Sequence, residues 1–244
     1  MNHGPKATEA FLENLVILPK PEITPAKMRL YVPYLSLPKA LEIVASKKLD
    51  LQIGAQNMHF ETSGAFTGEI SGPMLSEIGV NQVLIGHSER RQYYNETNES
   101  VLKKILSSLA QGFEVLVCIG ETLAERNSKK TEAVLTDQLS PLLSPDLCKA
   151  AFGKTLHIAY EPVWAIGTGL VATPEQAQET HAFIRQMLSK SLKPEATDLT
   201  RILYGGSVSP SNFKELLLCP DIDGGLVGGA SVKVDSFMAL WNLI

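Results

Sequence analysis

The sequence predicts an α/β protein built as a parallel β/α barrel, and three observations carry that reading. Short, continuously apolar strands alternate with helical segments along the 244 residues, as they do where a parallel sheet is covered on both faces. Polar residues recur at the strand exits, at Gln56, His87, Glu121, Glu161, Ser207 and Ser231, where such folds gather their ligands. After the first strand the chain reads Pro33-Tyr34-Leu35. A doubly wound nucleotide-binding sheet would place a G-x-G-x-x-G turn there.

The elements follow in order. Pro5 and the helical spacing of Ala7, Ala10, Phe11 and Leu15 predict a helix over 6–17. Residues 29–32 form a strand stopped by Pro33, and 37–47 carry the next helical pattern. A strand over 51–56 leads into a long loop, 57–72, which holds three glycines and an exposed Phe66; loops of that length usually have a function. The strand 82–87 is followed by the polar run Ser88-Glu89-Arg90-Arg91, suited to starting a helix near Glu96, and 101–109 reads as helix. Strand 114–120 precedes a helix over 131–143, strand 157–161 a helix over 174–188, and strand 201–207 a helix over 211–218. The last pair is a glycine-rich strand, 224–231, and a helix over 234–243. That makes seven strands, one fewer than a closed barrel of this kind requires.

Composition narrows the class. With 44% apolar and 20% charged residues the chain is ordinary for a globular protein and shows no linker, so one domain is expected over 1–244. A net charge of −4 without a basic stripe argues against nucleic acid and against an anionic membrane surface, and for small-molecule partners. Cys118, Cys148 and Cys219 are odd in number and lack C-x-x-C spacing, which disfavours disulfides and a zinc site and fits a reducing compartment. The sequence shows neither a membrane-length apolar run nor a signal-peptide pattern, so a cytoplasmic location is expected.

Chemistry concentrates around residues 156–172, LHIAYEPVWAIGTGLVA. Glu161 stands where Pro162 ends a strand. Beyond it the apolar stretch 163–169, with Gly167 and Gly169, has the composition of a hinged lid. A carboxylate beside a lid that excludes water is a candidate general base; a solvated acid at a strand end is the alternative. His87, at the exit of another strand, supplies a polarising donor facing the same mouth, or else a hydrogen-bonded cap. The turns Gly205-Gly206-Ser207 and Gly228-Gly229-Ala230-Ser231 close the last two strands. There a barrel commonly builds a phosphate site from main-chain amides, although glycine pairs also occur in plain turns. Cys118 reads as a core thiol and Trp164 as an anchor for the lid hinge.

The motifs Ala159-Tyr-Glu-Pro-Val-Trp-Ala-Ile-Gly-Thr-Gly169, Ile85-Gly-His-Ser-Glu-Arg-Arg91, Gln56-Asn57 with Ser63-Gly-Ala-Phe-Thr-Gly-Glu69, Tyr204-Gly-Gly-Ser207 and Leu226-Val-Gly-Gly-Ala-Ser231 resemble the triosephosphate isomerase family over nearly the whole chain. The resemblance implies a TIM (β/α)8 barrel and a glycolytic and gluconeogenic isomerase that needs no metal or cofactor. It implies that Glu161 moves a proton between the carbons of dihydroxyacetone phosphate and glyceraldehyde 3-phosphate while neutral His87 polarises the carbonyl. In that family the two roles depend on pKa tuning and on loop closure. Phosphate binding falls to Gly167, Ser207, Gly228 and Gly229, with Glu89, Tyr204 and Trp164 in support. Tyr204 latches the closed lid near Ala172, and the loop tip at Phe66 and Thr67 enters a second subunit to make a homodimer.

One departure is specific. The family's first strand ends in Gly-Asn-Trp-Lys-Met-Asn, whose lysine places positive charge beside the enediolate, and Met1 matches the position just after that lysine. Lys6 and Lys233 fall in or beside helices and do not map onto the role. The expectation is therefore seven of eight strands, an N-terminally incomplete domain and very low turnover by residues 1–244 alone. A shortened form of an ordinary isomerase and a lysine-less relative that binds sugar phosphates without converting them both remain open. Gly225, where the family usually carries a side chain, is expected to loosen the last strand.

Overall fold

The computed structural model describes residues 1–17, 27–168 and 170–244. Six strands, β1 (Arg29–Val32), β2 (Gln52–Ala55), β3 (Gln82–Ile85), β4 (Glu114–Ile119), β5 (Leu156–Tyr160) and β6 (Ile202–Tyr204), form one sheet in sequence order. Every pairing is parallel, so all the strands exit on the same side. At that level Ile119, Tyr160, Tyr204 and Gly225 lie in register as one row.

The strands read as continuously apolar because both faces are covered. In β4, Val115, Val117 and Ile119 pack outward with the helices, whereas Leu116 and Cys118 point inward to join Leu84 and Ala159; the two-residue period of a strand makes that division. Tyr31, Leu203 and Leu226 complete the inner cluster.

The predicted seventh strand is corrected. Among the described residues, 224–231 contributes a single parallel bridge, Tyr204 to Gly225, and then turns into a 3-10 helix, Gly229–Ser231. Gly224 at φ +154° and Gly228 at ψ −101° break the extended path, and the Ser231 hydroxyl donates back to the Val227 and Gly228 carbonyls. Gly225 does not loosen this segment, because the Phe213 ring already occupies the space a β-carbon would take.

The helices agree with the expected pattern to within a few residues. The first runs Pro5–Ile17 and the second Leu37–Lys47; the later ones include Asn98–Ala110, Thr131–Leu139, Pro174–Ser191, Phe213–Leu217 and Val234–Trp241. Ser88–Tyr93 is itself a helix rather than a lead-in to Glu96, and Gly72–Glu77, Leu123–Asn127, Pro145–Ala150 and Pro194–Leu199 are short helices without enough period to be seen in sequence. Lys6 lies in the first helix and Lys233 caps the last.

The first helix holds a telling position. Its Phe11 ring lies 5.8 Å from Phe237 of the last helix, and Ser36, which caps the second helix, donates to the His3 carbonyl at 3.1 Å. The helical layer therefore passes from the end of the chain to its beginning without a break. Beneath it, β1 pairs only with β2 among the described residues.

Candidate active site

Glu161 leaves β5 directly beneath the lid and is buried. Its amide donates to the Ile119 carbonyl at 2.7 Å, fixing the backbone at the strand exit. Two glycines permit its close packing: a β-carbon on Gly120 would collide with the Glu161 carbonyl, and one on Gly205 would stand 2.9 Å from its Cγ. The carboxylate rests on the Ser88 amide, which donates to Oε2 at 2.8 Å. Oε1 lies 3.0 Å from His87 Nε2, but in an orientation that makes no hydrogen bond, so this buried oxygen is left without a partner.

His87 caps the helix Ser88–Tyr93, and its Nδ1 accepts the Glu89 amide proton at 3.2 Å. An acceptor at Nδ1 places the proton of the neutral ring on Nε2, the nitrogen aimed at Glu161. Burial disfavours charge on the imidazole, yet the Glu161 carboxylate close beside it outweighs that and holds its pKa above the ordinary histidine value. Glu89 contributes chiefly through its amide; its carboxylate is 3.8 Å from His87 Nδ1 and exposed. Cys118 is a core thiol beside this pair, pushed well up by burial and then by the Glu161 charge, which makes it inert as a nucleophile.

The lid is anchored at both ends and exposed at its tip. Val163–Ala165 form a 3-10 turn in which Trp164 and Ala165 are buried, and Ala172 is buried at the other end. Gly167 and Thr168 between them are exposed, Gly167 at φ +67°; Gly169 lies outside the described residues. Trp164 is fixed at the first of these ends. Its indole donates to Glu121 at 2.9 Å, Tyr160 bonds the same carboxylate at 3.1 Å, and Arg126 both pairs with it at 2.9 Å and stacks 4.7 Å over the indole. The Ser207 hydroxyl donates to the Ala165 carbonyl, tying the glycine turn to the lid.

Tyr204 is buried, and its hydroxyl, in contact distance of where a Gly206 β-carbon would sit, finds no hydrogen-bond partner. Burial raises its pKa to about 12, with the Ala172 backbone opposing the rise. The latch to Ala172 is not made in this arrangement. The amides of Gly167, Ser207, Gly228 and Gly229 make no hydrogen bond among the described residues, and a β-carbon at Gly167, Gly228 or Gly229 would meet nothing within 4 Å. Such amides, at strand exits on one side of the sheet, are free to receive an anion. Phe66 and Thr67 are exposed on the loop after β2, well apart in sequence and contacts from this site, with Phe66 resting on the His59 ring at 4.4 Å.

Sequence reasoning missed Ser88, whose contribution is a main-chain amide and carries no side-chain signal. It also missed Arg126, although Thr122 and Glu125 form a capping box that fixes the helix and brings Arg126 back over Glu121. Among the described residues no group of three or more potential ligands could hold a metal ion, and no helix is long and apolar enough to cross a membrane.

His181, on the helix after the lid, is fully buried with its pKa depressed from 6.5 to about 4. Burial is the main cause; the Asp221 carbonyl and Asp223 oppose it and Arg185 reinforces it. Above pH 6.5 the ring is neutral both folded and unfolded. Between pH 6.5 and 4 the unfolded chain takes up a proton that the folded one refuses, so stability is lost as pH falls, by about 3 kcal/mol from this group. Urea midpoints at pH 7 and pH 4.5 are expected to differ by less in His181→Phe than in the parent; an equal difference would refute the assignment.

Comparison with known proteins agrees with this geometry. The family model described as triosephosphate isomerase matches residues 1–244. A triosephosphate isomerase of Magnetococcus marinus is 51% identical over 200 residues, 82% of this chain and 78% of its own. That of Carboxydothermus hydrogenoformans is 53% identical over 191 residues, 78% of this chain and 75% of its own. That of Acetivibrio thermocellus is 44% identical over 239 residues, 97% of this chain and 92% of its own. With the matching family model spanning the chain and a buried carboxylate facing a histidine beneath a hinged loop, the chain belongs to the triosephosphate isomerase family.

Proposed function

We propose that the protein interconverts dihydroxyacetone phosphate and glyceraldehyde 3-phosphate by proton transfer through Glu161, in the cytoplasm and as one step of glycolysis and gluconeogenesis. The observation that carries the reading is the 3.0 Å approach of Glu161 Oε1 to His87 Nε2 at the exits of two strands, beneath the lid. Glu161 leaves the Ser88 amide to take a proton from the substrate carbon, and His87 donates from Nε2 to the carbonyl oxygen as charge develops there. A substrate entering between them separates the histidine from the carboxylate that favours its charge. Burial and its place at a helix N-terminus then keep the ring neutral and able to donate. The free amides of Gly167, Ser207, Gly228 and Gly229 hold the phosphate, and Tyr204 fastens the closed lid at Ala172. The chemistry requires no cofactor.

The complete fold in this reading is a single eight-stranded barrel domain, with an additional strand inserted between β1 and the segment at Gly225, under the first helix. The exposed Phe66 and Thr67 meet a second copy in a homodimer. A polypeptide of residues 1–244 alone would turn over very slowly, for want of the cation that the family's first strand carries. Incubation with dihydroxyacetone phosphate in tritiated water tests the function: slow label incorporation that depends on Glu161 supports it. Phosphate binding with no incorporation favours the lysine-less binding protein.

A further inference from the structure

Tyr160 and Tyr204 end β5 and β6 side by side in the sheet. Tyr160 bonds Glu121, which holds Trp164, and Tyr204 lies against the Gly206 turn, whose Ser207 hydroxyl donates to the Ala165 carbonyl. One side chain packs against both. The His181 ring meets Tyr160 edge-on at 5.7 Å, 84° between planes, and lies 6.2 Å from Tyr204. It comes from the helix Pro174–Ser191, which begins directly after the lid and is fixed there by the Thr173–Gln176 capping box.

The other side of the ring is pinned. Nδ1 is 3.2 Å from the Asp221 carbonyl, and Asp221 is itself clamped to the same helix by Gln178 at 2.6 Å and Arg185 at 3.0 Å. A carbonyl can only accept, so the proton of the neutral ring sits on Nδ1 and Nε2 is left as an acceptor. That acceptor is buried without a partner, and so is the Tyr204 hydroxyl. A spare acceptor and a spare donor on neighbouring rings in the core are costly unless they serve some arrangement of the molecule.

We propose that His181 is a positioning residue for the isomerase reaction, holding the two tyrosines, and through them the Trp164 end of the lid, in a common orientation. A histidine that merely fills core space is the competing account. The inference rests on the functional reading above, and the experiment separates the two. Kinetics are measured for His181→Phe, Tyr204→Phe and the double variant, with His181→Gln, which keeps a donor and an acceptor, as a control that also serves if the phenylalanine variant does not fold. Lid movement is followed separately by Trp164 fluorescence during titration with inorganic phosphate, in a Trp241→Phe background.

His181→Phe is expected to lower kcat about tenfold with less effect on KM, and to weaken the Trp164 response. The double variant should be no worse than the poorer single one, and His181→Gln should restore most of the activity. Multiplying single effects in the double variant would overturn the proposal. So would parental kcat and fluorescence response accompanied only by a lower denaturant midpoint. A parent without isomerase activity that still shows the coupled Trp164 response would refute the functional reading and leave the positioning role supported.

Discussion

Glu161→Gln is expected to lower kcat by roughly 10³-fold with little change in KM, because general-base transfer typically contributes 10²–10⁴-fold and the amide preserves shape. The carboxylate is positioned for this. It is buried against Gly120 and Gly205, held by the Ser88 amide at 2.8 Å, and one of its oxygens has no hydrogen-bond partner. The substitution also removes the negative charge that raises the His87 pKa, so the histidine should titrate at lower pH in the variant. Steady-state kinetics and histidine NMR titration read these two effects. A kcat within tenfold of the parent would remove Glu161 from the chemistry. Glu161→Asp, which withdraws the carboxylate by about 1 Å, is expected to cost on the order of 10²-fold.

Adding a strand ahead of Met1 that ends in Asn-Trp-Lys is expected to raise kcat by 10²-fold or more over a polypeptide of residues 1–244. Removing one preorganised donor from developing negative charge costs about 3 kcal/mol or more in comparable sites, and a lysine supplies a full charge. The fold has a place for that strand. The first helix presents Phe11, Leu12 and Leu15 to the core and joins the last helix to the second, yet among the described residues the sheet beneath it ends at β1. An extended segment there would pair with β1 and with the backbone near Gly225, satisfying ladder groups at two edges. The urea midpoint should rise along with activity. Changing the added lysine to alanine should reverse the gain in kcat and leave the midpoint. A stabilised but equally slow protein would show that the cation is not what limits turnover.

Much of this arrangement was legible in the residues because it depends on local signals. Pro162 after Glu161, Pro33 after β1 and the apolar runs of β3, β4 and β5 mark strands and their exits directly. Helices with a clear period, such as Leu37–Lys47, were placed to the residue. What escaped depends on contacts between distant parts of the chain. The segment at Gly225 has the composition of a strand, but pairing is decided by neighbours and by glycine dihedrals, and among the described residues it makes one bridge. The Ser88 amide and the cluster of Arg126 over Trp164 arise only once strand exits are side by side. The glycine turn after β6 also has a second use that sequence did not suggest: Gly205 makes room for Glu161 as well as shaping a turn beside Ser207.

The riveting of Trp164 has a thermodynamic consequence. Ordering a free backbone costs roughly 1–2 kcal/mol per residue, and a loop that had to condense from a random ensemble would draw that sum from the affinity for a very small ligand. Here the indole is locked to Glu121 and Arg126, so under the proposed function the flap would turn about a fixed anchor instead of condensing from many conformers. Most of the grip on a phosphate would then go into pressing the reacting carbons toward the base, and release of product would need a pivot, not a local melting.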